Sequence, residues 1–513
     1  MVESFSKIKN GLGGMVRLAR ALPAFFCDRI TLARAEEEIK KGVERRGETF
    51  LELARTRIYA DPASPYLRLL KLAGCEFADL RSRVLADGLE AALARLAAAG
   101  VYLTADEYRG KTPVIRGGES FRVSPADLKG SGSAPGFGVE SGGTTGRPVR
   151  AIVSLDWQAQ VALARAPFFS AHGLFSYAHA TYDGILPASG GINNLLQQAR
   201  LGIASDRWYV RDLPKGSRLE TVHHVLATYL IVFMAKRYGP GFPAPEYVPI
   251  DDLRRIVDWV AEERARSRNC CIKTAGSNAV RIVRTAAGMG ISLDGTKFIV
   301  SGEPFTEAKR EAIARAGAQA VPIYSFTEAG LVGYGCANPF CSDDVHINQN
   351  LETAVLHPAP LDAAKAAVQP LLFTTVHPRA NLMLLNLANG DYGVLEERAC
   401  GCALEAAGLR LHLGRIRSYE KLTSEGMNYF YGDLHDFFEQ SLPREFGGGP
   451  GDYQLVEEED EHGITRLTLR VHPQAGEIDP HRLLTRLREE LGRGSPGKTF
   501  QASIWDGART LRI

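Results

Sequence analysis

The rhythm of apolar and polar positions changes twice along the chain. Up to about residue 111, apolar residues recur three and four apart, as in "LARAEEEIKKGVERR" and "DGLEAALARLAAAG". That spacing predicts a mostly helical region, with Gly100 ending the second of these helices. "MVRLARALPAFF" predicts a packed helix ending near Pro23. From 112 to about 415, short apolar runs alternate with helical stretches. "VRAIVSL", "ATYDGILPA", "KFIVSGEPF" and "AVPIYSFTEAG" predict strands, while "WQAQVALARAPFFSAHGL", "DLRRIVDWVAEERARS" and "TEAKREAIARAGA" predict helices. This alternation predicts an α/β domain with a largely parallel sheet. Its ligands are expected beyond the carboxyl ends of the strands. From 416 to 513 the pattern mixes strands and helices again, predicting a small α+β domain.

Charge narrows the partners. Sixty-one Lys and Arg against 59 Asp and Glu leave a net charge of +2. No global field points to nucleic acid or an anionic membrane, so any anion site must be local. No apolar run approaches the roughly 18 residues of a membrane span. The N-terminus lacks the apolar core and small-residue cleavage site of a signal peptide. A cytoplasmic enzyme is the expectation, with eight cysteines that do not form a disulfide framework. Whether the chain forms a homodimer is left open.

Candidate chemistry begins at "ESGGTTGRPVR", residues 140–150. Glycines let backbone N–H groups approach an anion, and threonine hydroxyls add donors, so this is a phosphate-cradle candidate. It lacks the spacing of a Walker loop or a dinucleotide fingerprint. Three further stretches follow it: "SGEP" at Ser301, "YSFTEAG" at Tyr324, and "NGDYG" with "LGRIRSYEKLTSEG". With these four motifs in one order, the chain resembles the adenylate-forming superfamily of acyl-CoA synthetases, carrier-protein adenylation domains and luciferases. The flavour of "TPVIRGGE", "GEPFTEAKREAI" and "GRIRSYEKL" is similar to phenylacetate–CoA ligase-like enzymes and the acyl-protein synthetases of bacterial luminescence.

That resemblance implies a large adenylate-forming domain (112–415) with largely parallel sheets, a helical N-terminal extension (1–111) and a small mobile C-terminal lid (416–513). It implies a carboxylic acid substrate activated by ATP and Mg²⁺ as an acyl-AMP. The acyl group then passes to a thiol, with CoA first, a carrier protein or protein cysteine next, and an amine also open. By the same resemblance Ser141, Gly142, Gly143, Thr144, Thr145 and Gly146 enclose the phosphates, with Arg150 supplying a nearby charge. Gly302, Glu303 and Pro304 face adenine, with Tyr324 in the Y-x-x-T-E stretch. Thr327 meets the α-phosphate, Glu328 holds Mg²⁺, Asp391 takes the ribose hydroxyls, and Arg415 assists. The C-terminal domain is expected to turn about Ile416 to Ser418.

Two clusters, "GCANPFCSDDVH" and "ACGC", offer thiols and an imidazole at four positions that suit a tetrahedral structural Zn²⁺, although the C-x-C spacing is tighter than the usual C-x₂₋₄-C. Cys341, His346, Cys400 and Cys402 are the preferred ligands, with Cys336 competing for the first position. Some phenylacetate–CoA ligase-like enzymes look similar here. One departure matters most. The superfamily's C-terminal lysine is replaced in "WDGARTLRI" by Ala508, leaving Lys498 and Arg509 as nearby cations. The alternative is therefore a catalytically weakened member that binds nucleotide or acyl-adenylate as a sensor or scaffold. Tyr182, Asp183, Ile185 and Ser189 are candidate walls of the acyl pocket, but they do not specify the acid.

Overall fold

The computed structural model describes residues 2–129, 135–140, 150–211, 219–359, 368–419, 421–430, 434, 436–493 and 496–513. Its centre is a twelve-stranded sheet. We number the strands in chain order: β1 Ala178–Tyr182, β2 Arg207–Val210, β3 Pro245–Tyr247, β4 Cys270–Thr274, β5 Lys297–Val300 and β6 Gln319–Phe326. Then come β7 Gly330–Gly335, β8 Val345–Ile347, β9 Glu352–Leu356, β10 Pro370–Thr375, β11 Leu387–Glu397 and β12 Leu411–Ser418. Across the sheet the order is β9-β10-β11-β12-β8-β7-β6-β5-β4-β1-β2-β3.

β6 divides the sheet. The strands from β6 to β3 run parallel, and those from β6 to β9 run antiparallel. In the parallel half β1, β4 and β5 are buried strands joined by crossovers, and β6, half-buried, follows them. Their carboxyl ends lead into Asp183, the helix Gly276–Gly288, the Gly302–Pro304 turn and Thr327 respectively, the position where open α/β sheets bind ligands.

The strand predicted at "VRAIVSL" forms, but not in the large sheet. Arg150–Ser154 pairs antiparallel with Gly136–Glu140, in the register Glu140↔Arg150, as a separate hairpin. The N-terminal helix also differs from its prediction, running from Val2 through Pro23 to Cys27. Burial of Leu22, Phe25 and Phe26 on one face outweighs the backbone hydrogen bond that an internal proline removes. The following helices do not form a separate core. Phe50, Leu69, Leu93 and Val101 share one hydrophobic cluster with Phe373, Leu384 and Leu413 of the antiparallel half. Residues beyond 420 gather mainly around their own core of Tyr429, Leu467, Leu487 and Trp505.

Candidate active site and a cysteine–histidine cluster

β6 and β7 form an antiparallel pair whose register shifts between Tyr324 and Ser325. Such a bulge re-aims side chains next to a site. Here it directs the Tyr324 hydroxyl to donate to Asp391 Oδ2 at 2.7 Å, across 67 residues of sequence. Asn389 Nδ2 donates to the same carboxylate oxygen at 2.8 Å and to the Tyr324 hydroxyl at 2.9 Å. Lys421 Nζ takes the other oxygen, Oδ1, at 2.9 Å. Burial first, and then the Asp391 charge, push the Tyr324 hydroxyl well above its usual pKa, so it remains a donor.

Thr327 and Glu328 occupy the turn between β6 and β7. Thr327 is exposed. The Glu328 carboxylate is largely buried and accepts from Arg109 Nη2 at 3.2 Å, its side chain 8% exposed against 10% for the arginine. Arg109 follows the short N-terminal helix Ala105–Tyr108, so the region that precedes the motifs reaches the carboxylate expected to hold Mg²⁺.

Gly302 sits at φ +89°, where a Cβ would come within 3.2 Å of Gly426 Cα. That close approach requires glycine. Glu303 turns its carboxylate away from solvent. It accepts from the Gly426 N–H at 3.1 Å and from the Ser277 N–H, and it pairs with Lys309 at 3.4 Å. Burial opposes its charge, but Lys309 and the N–H donors outweigh it and hold the carboxyl below its usual pKa. Lys309 also donates to Thr465 and pairs with Glu459 at 3.4 Å. The expected adenine loop is thus tied to the C-terminal domain.

Arg415 has φ +53°, a left-handed conformation that costs a non-glycine residue about 1–2 kcal/mol. The Asp343 carboxylate sustains it. It accepts from the N–H groups of Arg415 at 2.7 Å and Ile416 at 2.9 Å, and from Arg417 Nη1 at 2.9 Å. The Arg415 side chain is exposed. Lys498 stands over the Tyr429 ring, 6.0 Å from its centroid. Ala508 is buried, and its carbonyl accepts from Arg281 at 2.8 Å and Arg466 at 3.3 Å. Of the candidate pocket walls, Asp183 is ion-paired with Lys273. Tyr182 faces the core, its hydroxyl donating to the Val248 carbonyl at 3.2 Å. The expected phosphate cradle, Ser141 to Gly146, lies outside the described residues, and Arg150 opens the second strand of the flanking hairpin.

The structure brings together three of the four expected metal ligands. Ligand atoms of Cys336, His346, Cys400 and Cys402 all lie within 4.8 Å of one another. His346 Nε2 is 3.2 Å from Cys402 Sγ and 3.6 Å from Cys400 Sγ. Its Nδ1 lies 2.7 Å from the Leu409 carbonyl. A carbonyl only accepts, so Nδ1 carries the proton and the Nε2 lone pair faces the thiols, as a metal-ligating histidine requires. The fourth member is Cys336, not the preferred Cys341. Strand register decides this. β7 pairs with β8 in the register Tyr334↔His346, so Cys336, the residue after β7, stays beside His346. The intervening turn carries Cys341 to Gly414, where its thiol donates to Asp343 at 3.2 Å. A hydrogen bond between Cys336 and Cys402 holds the Cys402 thiol far below its usual pKa, and burial of Cys336 adds to the upward push on its own thiol.

Sequence reasoning missed Arg109, Asp343, Asn389 and Lys421. Lys421 lay inside a quoted motif, but nothing local told which carboxylate it meets. Arg109 gave no local signal at all.

No family model matches the chain, and no curated protein matches it. Solved structures do. A 2-hydroxyisobutyryl-CoA ligase in complex with 2-HIB-AMP and CoA is 15% identical, with a TM-score of 0.51 over 94% of this chain and 85% of that one. A malonyl-CoA ligase bound to methylmalonyl-CoA and AMP is 14% identical, with a TM-score of 0.42 over 72% and 70%. The chain therefore shares the fold of that 2-hydroxyisobutyryl-CoA ligase, here a mixed α/β body with a C-terminal domain. Among the described residues no helix is long and apolar enough to cross a membrane.

Proposed function

We propose that this protein is an ATP-dependent, AMP-forming carboxylate ligase that passes the activated acyl group to a thiol, CoA before a carrier protein, a protein cysteine or an amine. The observation that carries the reading is the contact of Tyr324 with Asp391. Two motifs 67 residues apart, matched separately in the sequence, meet at the carboxyl end of β6. The acyl-CoA ligases of the same fold, one of them bound to an acyl-AMP and CoA, support the reaction class. The phenylacetate–CoA ligase-like subtype rests on the sequence motifs and on the cysteine–histidine cluster. A cytoplasmic setting and the division at 111 and 415 belong to the same reading.

In the first step a carboxylate oxygen attacks the α-phosphorus and pyrophosphate leaves. In the second, a thiolate attacks the acyl carbonyl and AMP leaves. Asp391 is the acceptor for the ribose hydroxyls, and Tyr324 and Asn389 fix its orientation. Lys421, already on Asp391, brings a cation to the same place. Thr327 is exposed at the turn and free to donate to the α-phosphate. Charge stabilisation at the transferring phosphoryl group is the main requirement of such chemistry.

Mg²⁺ fits Glu328 only in part. Its one carboxylate, shared with Arg109, would hold the ion together with phosphate oxygens of ATP, the usual manner for this ion. It would supply charge neutralisation between the phosphates. Zn²⁺ fits the cluster well: three sulfurs and a correctly protonated imidazole, mutually within 4.8 Å, match a Cys₃His site. Its chemistry there would be structural, joining β7, β8 and the segment before β12.

Ala508 favours a second reading, a weakened enzyme that binds nucleotide or acyl-adenylate without turning over. ATP–pyrophosphate exchange against aryl, short-chain, long-chain and amino acids separates the two. Exchange with one class of acid names the substrate class. Protein that binds ATP and exchanges with none belongs to the second reading.

A further inference from the structure

The strands Lys421–Ser424 and Met427–Phe430 pair antiparallel with Ser424 opposite Met427, so their turn consists of Glu425 and Gly426 alone. Both have positive φ, +56° and +72°. That is the type I′ pattern, which favours Asn-Gly or Gly-Gly because both positions are left-handed. Glycine fills the second place. Glutamate at the first works against the turn, and such a residue persists only where its surroundings hold it.

What holds Glu425 comes from outside the C-terminal domain. Its side chain is fully buried, and Oε1 accepts from Arg281 Nη2 at 2.8 Å. Its carbonyl accepts from Arg211 Nη1 at 2.6 Å. Gly426 donates its N–H to Glu303 at 3.1 Å. Arg281 lies on the helix Gly276–Gly288 that follows β4, Arg211 follows β2, and Glu303 follows β5. Segments after three strands of the parallel half thus grip one turn. The Arg281 guanidinium also takes the Ala508 carbonyl at 2.8 Å, so it holds the hairpin and the end of the last helix together. Glu425 Oε2 is buried with no partner among the described residues. A buried charge that is only half satisfied is costly to keep.

The domain's second contact is of another kind. Ile464 is buried in one apolar cluster with Phe305 and Ile313 of the main body. We propose that Glu425 is a releasable latch. It serves the docked position of the C-terminal domain rather than its own hairpin, and the apolar contact at Ile464 keeps the domain attached when the latch opens. Latched, Gly426 covers the Gly302 turn, where a Cβ would come within 3.2 Å of Gly426 Cα. Release uncovers that turn at the carboxyl end of β5, on the edge where open α/β sheets bind ligands. This inference does not depend on the proposed reaction.

Hydrogen exchange of the full chain, read by mass spectrometry without any ligand, tests it. Glu425→Asn gives the turn its preferred Asn-Gly and removes the carboxylate. Residues 421–430 should then exchange about 10-fold faster or more, the scale of losing a hydrogen bond to a charged group. Glu425→Gln, which keeps the shape of the side chain, and Arg281→Gln, which leaves the turn untouched, should act alike, and combining these two should add little to either. The strand Thr465–Val471 and the helix Pro480–Leu491 should keep their protection in every variant. Unchanged protection of 421–430 in Glu425→Gln or in Arg281→Gln overturns the proposal, as do additive effects in the double variant. Faster exchange throughout Thr465–Val471 and Pro480–Leu491 overturns it as well, because Glu425 would then serve the folding of the domain and not its docking.

Discussion

The cysteine–histidine cluster and the proposed nucleotide site lie on the same sheet, yet they are built differently. The cluster belongs to one body. β7 and β8 and the segment leading into β12 place Cys336, His346, Cys400 and Cys402, and the Leu409 carbonyl sets the imidazole proton. The nucleotide site is shared. Tyr324 and Asp391 come from the sheet, but Lys421 follows the proposed hinge, and Glu303 is held by Gly426. A site within one body keeps its geometry however the C-terminal domain moves. A site completed across a hinge changes with it, which suits a two-step reaction in which a domain closes and reopens. Asp343 stands between the two. It lies in the turn beside Cys341 and holds the backbone of Arg415 and Ile416.

The largest expected effect breaks the first site and spares the second. Purified protein should carry about one zinc per chain, and Cys336→Ser or Cys402→Ser should lose it along with much thermal stability, because metal binding to such sites is worth on the order of 10 kcal/mol. Cys341→Ser should keep its zinc. Metal analysis of the three variants decides this, and metal retained in Cys402→Ser would sink the cluster as a zinc site.

The next breaks the second site and spares the first. Glu328→Ala should lower ATP–pyrophosphate exchange at least about 100-fold, the scale of losing one transition-state stabiliser, with zinc content unchanged. Near-normal exchange would remove Glu328 from the metal role.

A pH measurement probes the shared boundary. Glu457 has its carboxyl pKa raised from 4.5 to about 7, mainly by burial, beside Lys309, Glu303 and Glu459. Its folded pKa lies above its unfolded value, so the folded state binds the extra proton between the two. Stability should therefore fall as pH rises from about 4.5 to about 7, by up to roughly 3 kcal/mol. Glu457→Gln should flatten that slope in chemical denaturation, and an unchanged slope would contradict the assignment. The smallest effect sharpens the nucleotide site. Tyr324→Phe removes one hydrogen bond to a charged acceptor, worth about 1.5–3 kcal/mol to the folded state, and should lower the melting temperature and, through a misoriented Asp391, raise the ATP KM about 10-fold while leaving zinc unchanged. An unaltered ATP KM would detach Tyr324 from nucleotide binding.

Much of this was legible before any coordinates. Alternating strands and helices from 112 to 415 form because apolar periodicity is a local property, and the helices at Trp157, Arg254 and Glu307 lie where their spacing places them. The motif loops fall at the carboxyl ends of β5 and β6 for the same reason. Local pattern misled where neighbours decide. "VRAIVSL" is a strand by composition, but its partner is Gly136–Glu140, and Pro23 does not end a helix whose next residues bury two phenylalanines.

What the chain by itself determined, then, is its periodic elements and the residue types gathered in each loop, since both are set by near neighbours. Only the tertiary structure decided which of two cysteines joins His346, which carboxylate receives Lys421, that Arg109 reaches Glu328 across 219 residues, and that Arg281 meets Glu425 across 144. Those are pairings between distant segments, and they follow from strand register and packing, which no short stretch encodes.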